Sequence, residues 1–364
     1  MLKQEESKYA LIIVMGDFFG GAERRLIRVY NEIAKRKKID LYIRGSDNTK
    51  FRELIKIGNI NVTNYNKIVC YRSNFINTIK CINNLMFRKY AKIHFFDYNR
   101  FNHFVSLFLK QSHTKVICTI ANYNYLKENY NGICKSDLEK LIKNCDIIDL
   151  LYPRGVEYIK RLTGNKRIHI TPGTFTDLDL FKSDKKENII LFAAARLEND
   201  KNPGMLVDAC ILFKDKLRLE KYEVWIVGQG GEEEALRNKI RKHKIEDFVK
   251  MKGYVCTSKI MTKAKVFLSL GLYENYPSQS LAEAAASGCY IIATDVGDTN
   301  RIIDTQCSKL IPCNVQELGN AMMDYIYTKD EIKELYQKQI RLFAEKIFDM
   351  KISVGYFSYL LDLS

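Results

Sequence analysis

Residues Gly271–Asp298, GLYENYPSQSLAEAAASGCYIIATDVGD, decide the fold. The run just before them, Val266–Leu270, is short and apolar and suits a buried strand. Tyr273–Pro277 is polar and loop-forming. Ser278–Ser287 is alanine-rich and helix-compatible, and Gly288 is a natural stop. Cys289–Thr294 is apolar and partly β-branched, which predicts the next parallel strand. A loop that leaves a strand and opens a helix gathers free backbone N–H groups and the positive end of the helix dipole, a setting that suits a diphosphate. Two carboxylates flank that place, Glu274 in the loop and Glu283 inside the helix. Each is an acceptor pair able to hold the vicinal hydroxyls of a ribose or a hexose. Each also has a plain structural reading: Ser280-Leu281-Ala282-Glu283 fits a helix capping box, and Glu274 fits a solvated loop.

Outward from this unit the same rhythm repeats. Ile189–Ala194 reads as a strand. Arg196 and Lys201 follow it in ARLENDKNP, ahead of the helical pattern Met205–Phe213. An arginine offers a rigid fork of donors and a lysine a mobile point charge, so together they suit a diphosphate; alone they are two surface cations in a lysine-rich chain. Glu223–Val227, with Trp225, is a further strand that runs into the turn Gly228-Gln229-Gly230-Gly231, and Val249–Tyr254 is another short one. At the start of the chain, Tyr9–Met15 predicts a strand and Gly16–Gly21 a flexible loop. Leu26, Val29, Tyr30 and Ile33 are then spaced as one face of a helix. Asp40–Arg44, Ile60–Thr63, Lys92–Phe96, Lys115–Ile120 and Asp146–Leu151 are further strand candidates. Strands alternating with helices predict doubly wound parallel sheets, and 364 residues suit two such domains.

ENYPSQSLAEAAASG followed by ATDVGDT resembles the signature of the retaining GT-B glycosyltransferases of family 4, and GGAER at residues 20–24 resembles that family's N-terminal glycine loop. The family spaces its two glutamates by seven residues; here eight, Asn275–Ala282, lie between them. The resemblance implies a GT-B fold, two Rossmann-like domains facing across a cleft. Residues 1–182 would bind the acceptor and 183–345 the nucleotide-sugar donor, with a terminal helix at about 346–364 packing back on the first domain. Arg196 and Lys201 would clamp the donor diphosphate, Glu274 would hold the donor sugar and Glu283 the ribose. Gly20, Gly21, Gly228, Gly230, Tyr254, Tyr276, Ser278, Gln279, Ser280 and Leu281 would complete the donor site. His94 and Asn122 are candidates for the acceptor side, although a satisfied structural role suits His94 better. The implied activity is retaining transfer of a hexose from a nucleotide-diphosphate sugar to a hydroxyl acceptor, without metal or other cofactor. A lipid-linked saccharide of a cell-surface polysaccharide pathway is the acceptor this suggests.

Composition narrows the alternatives. The net charge of +15 favours an anionic partner such as a membrane surface or a phosphorylated substrate, and no nucleic-acid motif accompanies it. Aromatic, aliphatic and basic residues alternate through Tyr65–Tyr90, which suits either an interfacial membrane surface or a helix packed on the sheet with a solvated basic face. The ten cysteines are scattered without CxxC pairs, which favours reduced thiols and a cytoplasmic protein; the charge and the family resemblance add a peripheral place at the inner face of the cell membrane. No apolar run is long enough to span a bilayer, and Met1–Gly21 lacks the basic start of a signal peptide. Asp177-Leu178-Asp179 has the spacing of a metal-binding pair, but it falls where a domain linker is expected and reads as incidental. Two rivals remain: a GT-B sugar-nucleotide epimerase, and a non-catalytic basic protein that binds membrane or polyanion.

Overall fold

The computed structural model describes all residues except 1–6, 15–20, 58–59, 73, 97–99, 110–112, 122–123, 128–133, 165–166, 254 and 364; the side chains of residues 14, 21, 22, 57, 125, 127 and 195 are likewise outside the description. The chain divides into two compact units. The first comprises Met1–Pro172 with Lys351–Ser364, the second Gly173–Met350.

The first unit is built on a seven-stranded parallel sheet: β1 (Lys8–Val14), β2 (Lys38–Arg44), β3 (Lys67–Tyr71), β4 (Lys92–Phe96), β5 (Lys115–Ile120), β6 (Ile147–Leu150) and β7 (Arg167–Ile170), in the order β3-β2-β1-β4-β5-β6-β7. Burial on both faces explains why Ala10–Ile13 and Phe95–Phe96 are continuous apolar runs instead of alternating ones. Cys81, Ile82 and Leu85 from the Phe75–Phe87 helix join Phe101, Val105 and Leu109 from the Arg100–Leu109 helix in one cluster under the sheet. Burying each large apolar side chain contributes roughly 1.5–3 kcal/mol. Leu26, Val29, Tyr30 and Ile33 of the Gly21–Ile33 helix are buried as their spacing predicts. The Met350–Asp362 helix lies beside them, with the Phe357 ring 5.8 Å from that of Tyr30.

The strand expected at Ile60–Thr63 is a loop that buries Ile60. The third strand is Lys67–Tyr71, whose apolar and β-branched residues complete the ladder with β2. The Tyr65–Tyr90 segment is therefore strand then helix, and Asn74 caps the helix by accepting from the Asn77 N–H at 2.8 Å.

The second unit holds a six-stranded parallel sheet: β8 (Glu187–Arg196), β9 (Glu223–Gln229), β10 (Val249–Gly253), β11 (Ala264–Ser269), β12 (Tyr290–Thr294) and β13 (Lys309–Ile311), in the order β10-β9-β8-β11-β12-β13. The chain winds outward from β8 to β10, then restarts at β11 and winds the other way. The topological switch point thus lies between β8 and β11, where an open α/β sheet places its ligand crevice. The units divide ten residues before the break expected at 182. Residues 173–182 pack within the second unit: Thr174 donates to Gln279 at 2.7 Å, Thr176 N–H donates to the Phe348 carbonyl, and Arg341 donates to the carbonyls of Leu178 and Phe181. All ten cysteines are free thiols.

Candidate active site

The carboxyl ends of β8 and β11 carry the residues singled out in the sequence. β8 ends on Arg196, whose side chain is exposed and makes no hydrogen bond or ion pair among the described residues. The chain then turns through a 3-10 segment, Asn199–Lys201, and Lys201 pairs with Asp200 at 3.1 Å. That turn is fixed from two sides. Leu272 N–H donates to the Asp200 carbonyl at 3.0 Å, which ties the loop after β11 to the loop after β8. Leu197 N–H donates to the Gln229 carbonyl, and Glu232 N–H to that of Leu197. Gly228 and Gly230 permit this approach: a Cβ on either would overlap the backbone of Ala194 or Leu197, and Gly228 has φ +134°. The glycine turn therefore positions the Arg196–Lys201 segment.

Glu274 is half-buried at the end of β11, and backbone holds its carboxylate. Oε1 accepts N–H bonds from Asn275 (3.1 Å), Tyr276 (2.9 Å) and Asp298 (3.0 Å), and Oε2 lies 3.2 Å from Asp298 N. This is no freely solvated loop residue. Gly297, at φ +57°, completes the seat, since a Cβ there would collide with the Glu274 carboxylate. Asn275 fastens the loop to its surroundings. Its Oδ1 accepts from Ser269 Oγ at 2.9 Å and Gly271 N at 3.0 Å. Its amide nitrogen lies 3.0 Å from the Thr294 carbonyl, 3.0 Å from Thr294 Oγ1 and 3.2 Å from Thr299 Oγ1. One buried amide thereby joins the ends of β11 and β12 to the start of the following 3-10 turn, Thr299–Ile302. Sequence reasoning passed over Asn275 and Gly297; the only available signal was their adjacency to Glu274 and Asp298.

The helix after this loop is Gln279–Ala286. Its N-cap is Ser278, which accepts from Leu281 N–H at 3.2 Å. The capping box expected from Ser280 to Glu283 does not form, because the helix starts two residues earlier and Glu283 occupies its fifth position. Glu283 is half-buried and accepts from Gln279 Nε2 at 3.0 Å. Gln279 also accepts from Thr174, so it links the start of the second unit to the helix. Ser278 and Ser280 stand at the helix mouth, where the first-turn N–H groups have no intrahelical partner. Tyr276 and Leu281, expected among the donor contacts, have buried side chains: Tyr276 lies with the Arg301 guanidinium 4.7 Å from its ring, and Leu281 is in the core. Their side chains support the loop from beneath. Gly21 opens the first helix of the chain; Gly20, Asn122 and Tyr254 lie outside the described residues.

His94 is corrected. It sits inside β4 with no exposure, Nδ1 2.5 Å from Tyr30 Oη and Nε2 2.7 Å from Thr119 Oγ1. Thr119 donates onward to Asp149 at 2.6 Å, and Tyr356 donates to the same carboxyl. With both nitrogens engaged and no surface, His94 cannot line an acceptor site. Burial lowers its pKa to about 3 and raises that of Asp149 to about 6. Asp177 accepts the N–H groups of Asp179 and Leu180 in a local turn, and Asp179 pairs with Lys182 at 2.9 Å.

Residues 176–341 match the family model described as "Glycosyl transferases group 1". The UDP-N-acetylglucosamine–peptide N-acetylglucosaminyltransferase GtfA subunit of Streptococcus pneumoniae is 30% identical over 176 residues, 48% of this chain and 34% of that protein. A Campylobacter jejuni α-1,4-N-acetyl-D-galactosaminyltransferase, named for a diNAcBac-PP-undecaprenol glycan, is 29% identical over 174 residues, 47% of each chain. The chain thus spans about a third of the first relative's length and just under half of the second's. The structure of Anabaena Alr3699/HepE in complex with UDP aligns with a TM-score of 0.78 at 14% identity, over 98% of this chain and 100% of that one. Pneumococcal GtfA in complex with UDP and GlcNAc aligns at 0.68 and 13%, over 98% and 99%. The two parallel-sheet units give this chain the GT-B fold, and its residues 176–341 are similar to the group 1 glycosyl transferases.

Proposed function

We propose that the protein is a retaining, metal-independent hexosyltransferase that takes its sugar from a UDP-sugar. The observation that carries this reading is the meeting of two loops at the switch point of the second sheet. One loop bears Arg196 and Lys201; the other bears Glu274 on a seat of backbone N–H groups. Arg196, Lys201 and the helix mouth at Ser278–Ser280 stabilise the departing diphosphate. Glu274 orients the donor sugar and Glu283 the ribose. The bond from C1 to the β-phosphate breaks with its electron pair left on phosphate, the acceptor oxygen bonds C1 on the same face, and its proton passes to a leaving phosphate oxygen. No protein base is required. The names of the two relatives support an N-acetylhexosamine as the sugar.

The acceptor is a lipid-linked saccharide, as the Campylobacter relative's name suggests, and it is met at the inner face of the membrane. A peptide acceptor is the second reading, favoured by the name of the pneumococcal relative. A thermal-shift screen of UDP-, GDP-, ADP- and CMP-sugars, without metal and then with Mg²⁺, tests the donor site, because a ligand bound only to the folded state raises the melting temperature. Stabilisation by UDP-sugars without metal is the expected result. No shift with any nucleotide overturns the transferase reading, and a shift only with Mg²⁺ overturns metal independence and points back to Asp177 and Asp179.

A further inference from the structure

The second unit holds a cavity of about 470 Å³ at the amino edge of its sheet. Lys265 enters it from β11, Tyr290 from the first position of β12, Tyr325 from the Val315–Tyr327 helix and Lys333 from the Asp330–Ile347 helix. The candidate active site lies at the other end of the same strands. The Gln279–Ala286 helix runs between the two places: Ser278 caps it at the active-site end, and Gly288, just beyond its other end, lines the cavity. The volume falls within the range of small-molecule pockets, roughly 300–1,000 Å³, and is more than a lone ion needs.

The cavity gathers hydrogen-bond donors without matching acceptors. The Lys333 side chain is 13% exposed; its ammonium lies 5.6 Å from the centre of the Tyr325 ring, donates to the Ile326 carbonyl at 2.8 Å and stands 3.3 Å from Asp330 Oδ1. The Asp330 side chain is 86% exposed, so water screens that pair. Lys265 is half-buried, donates to Asn188 Oδ1 at 2.7 Å and forms no ion pair among the described residues. Burial, and after it the charge of Lys333, lower the Lys265 pKa, with Asp330 offsetting part of this. Beside the lysines, Tyr325 is 6% exposed and stacks on Tyr290 with ring centres 4.7 Å apart. Neither tyrosine hydroxyl makes a hydrogen bond among the described residues, and a buried hydroxyl left without a partner is costly. Burial pushes the Tyr290 pKa up to about 12 and that of Tyr325 higher, so both keep their protons and can donate. Lys186 stands outside this set, because its ammonium is engaged by the carbonyls of Ala264 and Ser287 at 2.9 and 2.7 Å. The carboxylates at the cavity, on Asp184, Asp330 and Glu334, all belong to exposed residues.

Two ammoniums facing one space suit a dianion, since a single carboxylate would leave one of them unmatched. Two phenol donors beside them suit further oxygen acceptors. We propose that this cavity binds a phosphate monoester of sugar size, with Lys265 and Lys333 on its phosphate and Tyr290 and Tyr325 donating to its oxygens. The site is separate from the donor site and does not rest on the transferase reading.

Titration calorimetry of the full chain with glucose 6-phosphate and with ribose 5-phosphate tests it, with glucose and inorganic phosphate as controls. At least one ester binds at millimolar concentration or below. Glucose does not bind, and inorganic phosphate binds more weakly. Lys265→Gln and Lys333→Gln each weaken the ester by about tenfold or more, as for a lost charge-assisted hydrogen bond. Tyr325→Phe, which keeps the ring and removes the hydroxyl, weakens it several-fold. Arg196→Ala leaves it unchanged, and UDP does not compete. Glutamine at 265 can still bond Asn188, so that variant decides the matter even if Lys333→Gln fails to fold. Binding of neither ester, equally tight binding of inorganic phosphate, or undiminished binding by Lys265→Gln overturns the proposal. Loss of binding in Arg196→Ala, or displacement by UDP, also overturns it, because the ester would then occupy the candidate active site.

Discussion

The two units share an architecture and spend their buried polar groups differently. In the second, Asn275 and the Glu274 carboxylate lie at the carboxyl ends of strands, one buried and one half-buried, and bind mostly to backbone. In the first, His94, Thr119 and Asp149 lie within the strands and bind mainly to one another and to the tyrosines at 30 and 356. The first arrangement uses polar groups to shape a loop at the sheet edge, where a ligand can meet it. The second uses them to bind a sheet to its covering helices, where no ligand can. Position along the strand, more than residue type, separates a candidate site from a structural network.

The largest test of that contrast is Arg196→Ala and, separately, Lys201→Ala. Each removes a donor from the edge site and should lower turnover by about a hundredfold or more with stability little changed. Wild-type-like turnover in both would remove the edge site from catalysis. The next test addresses the buried network. His94 with a folded pKa of about 3 is held neutral by the fold, so its contribution is complete above the unfolded pKa near 6.5 and falls away as pH drops towards 3. Asp149, raised to about 6, has the opposite sign: its contribution is present below about pH 4 and is lost as pH rises through 6. His94→Gln keeps Asp149 and deletes the histidine titration. Denaturant melts should therefore show the advantage of wild type over this variant shrinking by roughly 3 kcal/mol between pH 6.5 and pH 4. A constant difference would mean that His94 does not carry the acid sensitivity. The smallest effect is assigned to Glu283→Gln, which should raise donor KM several-fold with kcat less altered; an unchanged donor KM would leave Glu283 a structural role such as its contact with Gln279.

The edge site was legible because its parts are local in sequence. Glu274, Ser278 and Glu283 share one loop and helix, and Arg196 and Lys201 share another. Their identities could be set beside a known signature without knowing the fold. What joins those parts was not legible. Asn275 gathers Ser269, Gly271, Thr294 and Thr299, partners as far as 24 residues away, and a single sequence carries no record of such pairs. The helix start illustrates a different failure. Ser278 and Ser280 are both good caps by type, and the choice was made by the loop, whose Glu274 and Asn275 fix where the chain emerges. The strand at Lys67–Tyr71 was read as part of a longer amphipathic segment because its five residues mix lysine, tyrosine and cysteine with only two β-branched positions. Pairing with β2, a tertiary contact, decided it.

The Met350–Asp362 helix bears on how the chain acquires its structure during synthesis. Phe357 packs tilted against the Tyr30 and His94 rings, and Tyr356 bonds Asp149, so the core of the first unit needs side chains made long after its last strand, beyond the whole second unit. The second unit is one uninterrupted stretch, Gly173–Met350. A chain made from its N-terminus ordinarily completes its domains in order. Here the order is inverted: the second unit has all its residues while the first still exposes the face that the last helix will cover. Of these two units, the one that emerges earlier is the one that closes later.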